Sequence, residues 1–234
     1  MSKKKKLLRF RENESFPNVI QPPLSDFFDK GVGKVRKHRL AGNWRKDIFK
    51  NDNPIVLELG CGKGEYSVGL GKMHPDVNYI GVDIKGARIW FGAKEALDYN
   101  LKNVAFLRIR IDFIDAFFGE NEIDQVWITF PDPKEKEEWE EKRLTSKTFV
   151  GRYKKFLKEE GVIHLKTDSA FLHKNTLEVI KVNGYNLLMA DADIYKSDLD
   201  NFSPELKQVL SLKTYYEEMF SKKGHLITYL KFRP

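Results

Sequence analysis

Five strand-like segments accompanied by helix-like segments constrain the fold of this chain more than any other feature of its sequence. The strand-like segments are rich in β-branched and aromatic residues: PIVLELG, VNYIGVD, VAFLRIRID, DQVWITFPD and GVIHLKTD. The segments of helical character are EYSVGLGKM, ARIWFGAKEALDYN, SKTFVGRYKKFLKEE and SAFLHKNTLEVIKVN. Their alternation indicates βαβ units and a mostly parallel sheet with helices on both faces.

The last part of the chain breaks this alternation. YNLLMADAD and HLITYLKF are strand-like, and a long polar, helix-prone insert separates them. We expect the two segments to pair as an antiparallel hairpin at the edge of the sheet, which would then contain seven strands. The predicted fold class is therefore α/β.

Basic residues are concentrated in the first 50 residues, which contain 14 Lys and Arg against 5 Asp and Glu, whereas the net charge of the whole chain is +7. This distribution predicts a basic N-terminal arm over residues 1–50 and one folded domain over residues 51–234. Clustered Lys and Arg neutralise phosphates, and Trp44 is expected to stack on a base, so the arm favours nucleic acid as a partner. For the lysines at 3–6 alone, a solubilising tail is the alternative.

The number of cysteines and the distribution of apolar residues indicate the cellular compartment in which the protein is expected. Cys61 is the single cysteine, which excludes an internal disulfide, and no N-terminal apolar stretch has the length of a signal peptide or membrane span. We therefore expect a cytoplasmic protein without a membrane partner. No metal is expected, and both a monomer and a homodimer remain open.

Three glycines directly after the first strand-like segment predict a ligand site. In VLELGCGKGEY, Gly60, Gly62 and Gly64 lie where a helix begins, and such a turn lets backbone amides approach a ligand closely. The dinucleotide fingerprint requires its third glycine three positions after Gly62, but Glu65 is found there. A nucleotide-like ligand is predicted, and its identity depends on the neighbouring residues.

Glu58 favours S-adenosylmethionine over NAD as this ligand. It lies at the end of the strand, where it would repel a pyrophosphate but would attract an ammonium and a sulfonium. Asp83, at the end of the next strand, is expected to bind ribose hydroxyls, with a helix N-cap as the alternative. Asp112, one strand later, is assigned to the adenine amine, and Asp115 is its rival.

The segment FPDP places Asp132 at the same edge of the sheet, beside the expected position of a reactive methyl group. Pro131 and Pro133 restrict the backbone on both sides, which suits a group that must be held still. A β-turn without a role in chemistry is the alternative, because this composition is common in turns. The position of Asp132 after the fourth strand favours the functional interpretation.

These motifs together resemble the bacterial tRNA (guanine-N7)-methyltransferases, which are Rossmann-like class I enzymes that methylate position 46 in the variable loop of tRNA. The resemblance covers roughly residues 54–234 and rests on LELGCGKG, GVDIKGA, FPDP, KRL, KTD and a Thr-x-x-Glu motif near the end of the chain. It implies S-adenosylmethionine as cofactor and tRNA as partner. It also implies a cofactor site formed by Glu58, Asp83, Asp112 and Asp132, and substrate contacts from Lys136, Arg143, Asp168, Thr214 and Glu217.

The sequence departs from the family after FPDP, where the Trp that usually follows is replaced by Lys134 and five glutamates dilute the basic charge of residues 134–141. RNA contacts by this loop are therefore in question, and the N-terminal arm is expected to compensate. Asp168 is expected to accept hydrogen bonds from guanine N1 and N2, with a helix N-cap as the alternative. The competing interpretations are a methyltransferase for another substrate, a non-catalytic RNA-binding module and, less favoured, a nicotinamide oxidoreductase.

Overall fold

The computed structural model describes residues 3–196 and 202–234, without the side chains of Lys3 and Tyr216. The α-helices in these ranges are α1 (Lys3–Ser15), α2 (Glu65–Met73), α3 (Gly86–Asp98), α4 (Lys147–Tyr153), α5 (Ala170–Val182), α6 (Pro204–Ser211) and α7 (Tyr215–Ser221). Short 3₁₀ helices cover Leu24–Asp26, Ile111–Ala116 and Glu137–Lys142, and a π-helical turn covers Trp44–Phe49. The strands are β1 (Val19–Ile20), β2 (Phe28–Asp29), β3 (Lys34–Val35), β4 (Ile55–Leu59), β5 (Asn78–Asp83), β6 (Val104–Arg108), β7 (Ile123–Thr129), β8 (Leu157–Thr167), β9 (Asn186–Asp191) and β10 (Thr228–Arg233).

The main sheet confirms the predicted α/β class and contains one strand more than expected. Its order is β1-β6-β5-β4-β7-β8-β10-β9, with parallel pairing as far as β8 and antiparallel pairing of β10 with both β8 and β9. The eighth strand is β1, whose residues 19–20 pair with Phe106 and Leu107 of β6. A two-residue strand lacks the alternating pattern that reveals longer strands, so the sequence did not predict it.

The first 50 residues include part of the hydrophobic core. Phe27, Leu40, Trp44 and Phe49 are buried with the apolar residues of one sheet face, and the Trp44 indole N–H donates to the Phe117 carbonyl at 2.8 Å. The expectation that Trp44 stacks on a base is therefore wrong, because its side chain is completely buried. The division of the chain at residue 50 stays a prediction, but the described residues before it are packed on the sheet.

One predicted helix is shorter than its sequence indicated. The segment 146–160 was expected to be helical throughout, but α4 ends at Tyr153 and residues 157–160 belong to β8. Leu157 pairs with Ile123 of β7 and is buried, so tertiary pairing overrides the helical propensity of the lysines and glutamates around it.

The topology determines where a ligand can bind. The chain passes from β4 to β5 and β6 on one side of β4 and then returns to β7 on the other side, so the strand order reverses between β4 and β7. Ligands of open α/β sheets bind at the carboxyl ends of the strands at such a reversal. Within residues 3–196 and 202–234, none of the helices combines the length and apolar character that crossing a membrane requires.

Candidate active site

A cavity of about 590 Å³ lies at the carboxyl ends of β4 and β7, at the point where the strand order reverses. The residues after β8, and Thr214, Phe220 and His225 of the C-terminal insert that precedes β10, complete its wall. The predicted site residues that line it are Glu58, Gly60, Gly62, Asp132, Asp168 and Thr214. The structure thus brings together at one cavity residues from four separate parts of the chain.

Glu58 is the most deeply buried acidic residue of the cavity lining, with 4% of its surface exposed. Its carboxylate accepts hydrogen bonds from the Ser67 hydroxyl at 2.6 Å, the Ser67 backbone N–H at 2.9 Å and the Thr129 hydroxyl at 2.8 Å. Burial nevertheless raises the pKa of Glu58 to about 7, because the protein solvates its charge less well than water does. A cation that entered the cavity would favour the ionised form of this carboxylate.

The turn between β4 and α2 contributes backbone to the cavity. Gly60 and Gly62 have φ angles of 76° and 56°, in the left-handed region that glycine adopts without strain. A Cβ at Gly60 would meet no atom within 4 Å, so space for a ligand is open there. Gly64 lies outside the cavity lining, and a Cβ at this position would lie 2.5 Å from the Phe106 ring and would separate α2 from β6, so its contact with a cofactor stays a prediction.

Asp83 holds this glycine turn in place. Its two carboxylate oxygens accept the Gly62 N–H at 3.0 Å and the Lys85 N–H at 2.8 Å. The N-cap position of α3 is Lys85, so the alternative of Asp83 as N-cap does not describe its bonding. Asp83 is buried directly behind Gly62 and does not line the cavity, and its contact with a ribose stays a prediction.

Asp132 lies on an unusual turn at the mouth of the cavity. The residues on either side of the Pro-Asp-Pro sequence, Phe130 and Lys134, both have positive φ angles, 47° and 51°. Non-glycine residues in this region are uncommon, and they are enriched at functional sites. The Lys134 ammonium is 2.8 Å from the Asp132 carboxylate, and this hydrogen bond lowers the pKa of Asp132. The carboxylate is therefore ionised at neutral pH.

Asp168 faces the cavity from the end of β8. The N-cap of α5 is Ser169, whose hydroxyl accepts the Leu172 N–H, so the structure does not support the N-cap alternative for Asp168. Asp168 Oδ2 is 3.2 Å from Nδ1 of His225, whose ring packs near Phe220. Sequence analysis missed His225 and Phe220 as lining residues, because the insert showed only polar, helix-prone character.

The remaining predicted residues lie outside the cavity lining. The Asp112 carboxylate binds the Arg110 guanidinium at 3.0 Å, and its rival Asp115 binds Lys155 at 2.7 Å. Arg143 is buried, and its guanidinium donates to backbone carbonyls of residues 134–136 instead of facing solvent. In this structure Arg143 thus fixes the loop after Asp132, and the RNA contact expected of it stays a prediction.

Lys136 and Glu217 differ in their surroundings. Lys136 is exposed, with its Nζ 4.9 Å from the centroid of the Trp139 ring. Glu217 is fully buried and forms a reciprocal capping box with Thr214 at the start of α7. The substrate contacts expected of both residues stay predictions.

Comparison with known proteins gives a consistent assignment. A family model described as a putative methyltransferase matches residues 52–230. The tRNA (guanine-N(7)-)-methyltransferase of Christiangramia forsetii is 48% identical over 100% of this chain and 99% of its own length, and that of Bacteroides fragilis is 49% identical over 98% and 85%.

Solved structures agree on the fold. A structure described as an antibiotic-related methyltransferase aligns with a TM-score of 0.59 at 16% identity, covering 89% of this chain and 99% of the other. The 16S rRNA methyltransferase KamB aligns with a TM-score of 0.57 at 13% identity and the same coverage. At such identities the likeness extends to the Rossmann-like methyltransferase fold. The sequence identity of nearly one half to the two relatives extends along nearly the whole chain and shows the family as well as the fold. The chain belongs to the tRNA (guanine-N(7)-)-methyltransferase family.

Proposed function

We propose that this protein transfers a methyl group from S-adenosylmethionine to N7 of a guanine in tRNA, at position 46 of the variable loop. Family membership along the whole chain is the observation that carries the proposal. The acidic cavity at the reversal of strand order supports it, because a cationic methyl donor and a purine both require acceptors there. Position 46 follows from the family that the sequence motifs resemble.

The cavity residues fit S-adenosylmethionine better than a dinucleotide. An ammonium beside Glu58 would be stabilised by the carboxylate, whereas a pyrophosphate would meet its negative charge. The open space at Gly60 and the backbone of the glycine turn suit a ligand carboxylate. When bound, S-adenosylmethionine supplies a methyl group attached to a positively charged sulfur. We call the part of the cavity formed by Glu58, Gly60 and Gly62 the cofactor end.

The guanine would occupy the opposite part of the cavity, which we call the guanine end and which is formed by Asp168, Thr214, Phe220 and His225. N7 of guanine has an in-plane lone pair and no proton, so its methylation needs no general base. The protein must hold the purine in line and stabilise the positive charge that develops on the ring. We assign charge stabilisation to Asp132 and discrimination against adenine to Asp168, which can accept from guanine N1 and N2.

Turning the target base out of folded RNA costs free energy, and contacts between cationic side chains and tRNA phosphates can offset this cost. We therefore expect a cationic surface around the cavity. Lys63 and Arg88 line the cavity, and Lys4 and Lys6 of α1 are exposed. Lys136 extends from the loop after Asp132, where neighbouring glutamates weaken its attraction for phosphates. We propose that α1 and the mouth of the cavity bind tRNA phosphates and that residues 134–141 contribute less.

The proposal also covers the cellular location and the oligomeric state of the protein. We propose a cytoplasmic location, because unmodified tRNA is available there and the buried thiol of Cys61 is free. Both a monomer and a homodimer are compatible with a cavity whose lining comes from one chain.

The direct test uses unmodified tRNA and S-adenosylmethionine labelled at its methyl group. We expect label in the tRNA and borohydride/aniline cleavage at the target guanosine, which reports N7-methylguanine. The matched control is the same tRNA with 7-deazaguanosine at the target position, in which a C–H group replaces N7. Equal labelling of both RNAs, or no labelling of either, would contradict the proposed function.

A further inference from the structure

One contact at the guanine end has no part in the proposed chemistry: the ring of His225 lies against the carboxylate of Asp168. Nδ1 of His225 is 3.2 Å from Oδ2 of Asp168. The Asp168 side chain is 17% exposed and that of His225 is 45% exposed, so the carboxylate is the more sheltered of the two groups. An imidazole N–H can donate to a carboxylate in the neutral ring and in the protonated one.

The end of α7 determines where the His225 ring lies. The helix ends at Ser221, and Gly224 has a φ angle of 80°, in the left-handed region. The His225 N–H donates to the Phe220 carbonyl at 3.2 Å. The Gly224 N–H donates to the Ser221 carbonyl at 3.0 Å. These are the two bonds of a Schellman motif, in which the residue after the glycine also packs on the last turn of the helix. The ring centroids of His225 and Phe220 are accordingly 5.5 Å apart.

The order of the strands places His225 on the side of Asp168 that is away from the cofactor end. The cofactor end follows β4, Asp132 follows β7, and Asp168 follows β8. His225 precedes β10, which borders β8 on the side opposite to β7 and whose Thr228 pairs with Thr167 at the end of β8. A guanine that presents N7 to the cofactor end would therefore meet the carboxylate first, with the imidazole behind it.

The role assigned to Asp168 requires a fixed carboxylate. Guanine N1–H and N2–H are neighbouring donors in the plane of the base, and one carboxylate accepts both only when its two oxygens lie close to that plane. The terminal torsion of an aspartate side chain is soft, so a partner is needed to hold this orientation. A carboxylate offers about four acceptor positions, so a donor on Oδ2 leaves room for both guanine groups.

We infer that His225 is a positioning residue, which holds the Asp168 carboxylate in the orientation that reads guanine and does not itself touch the base. The inference rests on the proposed function, since guanine recognition is assigned to Asp168. It gives a role to the contact of 3.2 Å and to the helix end that places the ring. Without the imidazole, the carboxylate would turn more freely and would pair less well with N1–H and N2–H.

Two replacements of His225 test whether its donor matters. His225→Leu removes the donor and keeps an apolar side chain beside Phe220, and we expect kcat/KM for tRNA to fall about tenfold, because Asp168 loses its orienting partner. His225→Asn places an amide N–H near the position of Nδ1 and should recover most of this loss. Leu226→Ala, at the next and half-exposed position, is the matched control and should behave as the wild type.

A change of substrate shows whether His225 acts through Asp168. Inosine keeps N7 and N1–H of guanosine but lacks the exocyclic amine. The wild-type protein should methylate tRNA with inosine at the target position roughly 10- to 100-fold less efficiently than the guanosine form, because Asp168 loses one donor. We expect Asp168→Asn and His225→Leu to bring this ratio closer to one, and His225→Asn to keep the wild-type ratio.

A structural role of His225 alone would lower kcat/KM for both RNAs equally, and an unchanged ratio in His225→Leu would therefore overturn the inference. A higher kcat/KM of His225→Leu for guanosine would also overturn it, since the ring would then compete with the base for Asp168. So would a wild-type protein that does not distinguish inosine from guanosine.

A third RNA tests for direct contact between His225 and the base. In 3-deazaguanosine a C–H group replaces N3, the ring acceptor next to the exocyclic amine. The efficiency of this RNA relative to guanosine should be the same in the wild type and in His225→Leu. A loss in the wild type that His225→Leu abolishes would place the ring against the base and overturn the inference. Failure of the wild type to methylate guanosine-containing tRNA would contradict the proposed function instead, so the two failures are distinguishable.

Discussion

The cofactor end of the cavity comes from one continuous part of the chain, in which the glycine turn follows directly after β4. The guanine end combines Asp168 with the insert before β10, which is attached to β8 through Lys166 and to α2 through the Tyr66 hydroxyl, a donor to the Val209 carbonyl at 2.8 Å. Local backbone geometry thus determines one end, whereas contacts between distant segments determine the other. Substitutions at the two ends should differ in what they change.

Asp132 lies between the two ends, and its replacement should have the largest effect on turnover. We expect Asp132→Asn to lower kcat by about 100-fold or more, because an ionised group that stabilises developing charge is lost. Calorimetry should still detect cofactor binding, since Glu58 and the glycine turn are unchanged. Glu138→Gln, in the exposed part of the same loop, is the matched control and should behave as the wild type. Near-normal turnover of Asp132→Asn would remove this residue from the mechanism.

Glu58 gives the cofactor end a pH-dependent stability. Its pKa is about 7 in the folded protein against an ordinary value of 4.5, so the folded state binds this proton more tightly than the unfolded state does. The stabilisation is complete below pH 4.5 and is lost as the pH rises through 7, by about 3 kcal/mol in total. Urea denaturation between pH 5 and 8 should show this decline in the wild type and a smaller one in Glu58→Gln. Identical slopes would mean that Glu58 is ionised throughout.

The same two ends explain which parts of the site were predictable. Gly60, Gly62 and Glu58 were found from sequence because a strand followed by a glycine turn is a local signal. His225 and Phe220 belong to the guanine end, where function depends on how the insert before β10 packs on the sheet, and no local sequence pattern specifies that packing.

The mostly parallel sheet with its antiparallel C-terminal hairpin could be predicted from the sequence. The packing of the first 50 residues on that sheet could not. Trp44 and Phe27 are core residues, but the irregular segment that carries them has neither the helical nor the strand period. Charge counting identified the excess of basic residues there and gave no information on the apolar residues between them. Composition therefore indicated a partner for this segment, and only packing shows that it also covers the sheet.

Asp83 and Asp112 allow a paired test of cofactor binding, because they lie at the ends of successive strands but differ in their contacts. Asp83→Ala removes the acceptors of the Gly62 and Lys85 N–H groups, and we expect a weaker affinity for S-adenosylmethionine by roughly tenfold, the value of about one hydrogen bond to a charged group. Asp112→Ala removes only the two hydrogen bonds from the Arg110 guanidinium and should leave the affinity nearly unchanged. Calorimetric titration measures both, and an equal loss in Asp112→Ala would restore its predicted contact with adenine.

The N-terminal helix should have the smallest effect, and on RNA rather than on the cofactor. Arg9 packs over the Trp90 and Phe91 rings of α3, with its guanidinium carbon 4.6 and 4.1 Å from their centroids, while Lys4 and Lys6 of α1 stay exposed. Deletion of residues 1–11 should weaken tRNA binding and reduce its dependence on salt concentration, because each lost phosphate contact lowers the salt slope by about one.

The variant Lys4→Gln/Lys6→Gln separates charge from packing in this helix. It keeps the contacts of Arg9 and removes two cations, so its salt slope should fall part of the way toward that of the deletion, with an unchanged melting temperature. An unchanged slope in both proteins would assign α1 to covering α3 and would leave Lys63 and Arg88 at the cavity mouth as the cations that bind tRNA. The basic residues of α1 would then reflect solubility, and the cations that bind tRNA would come from the glycine turn and from α3.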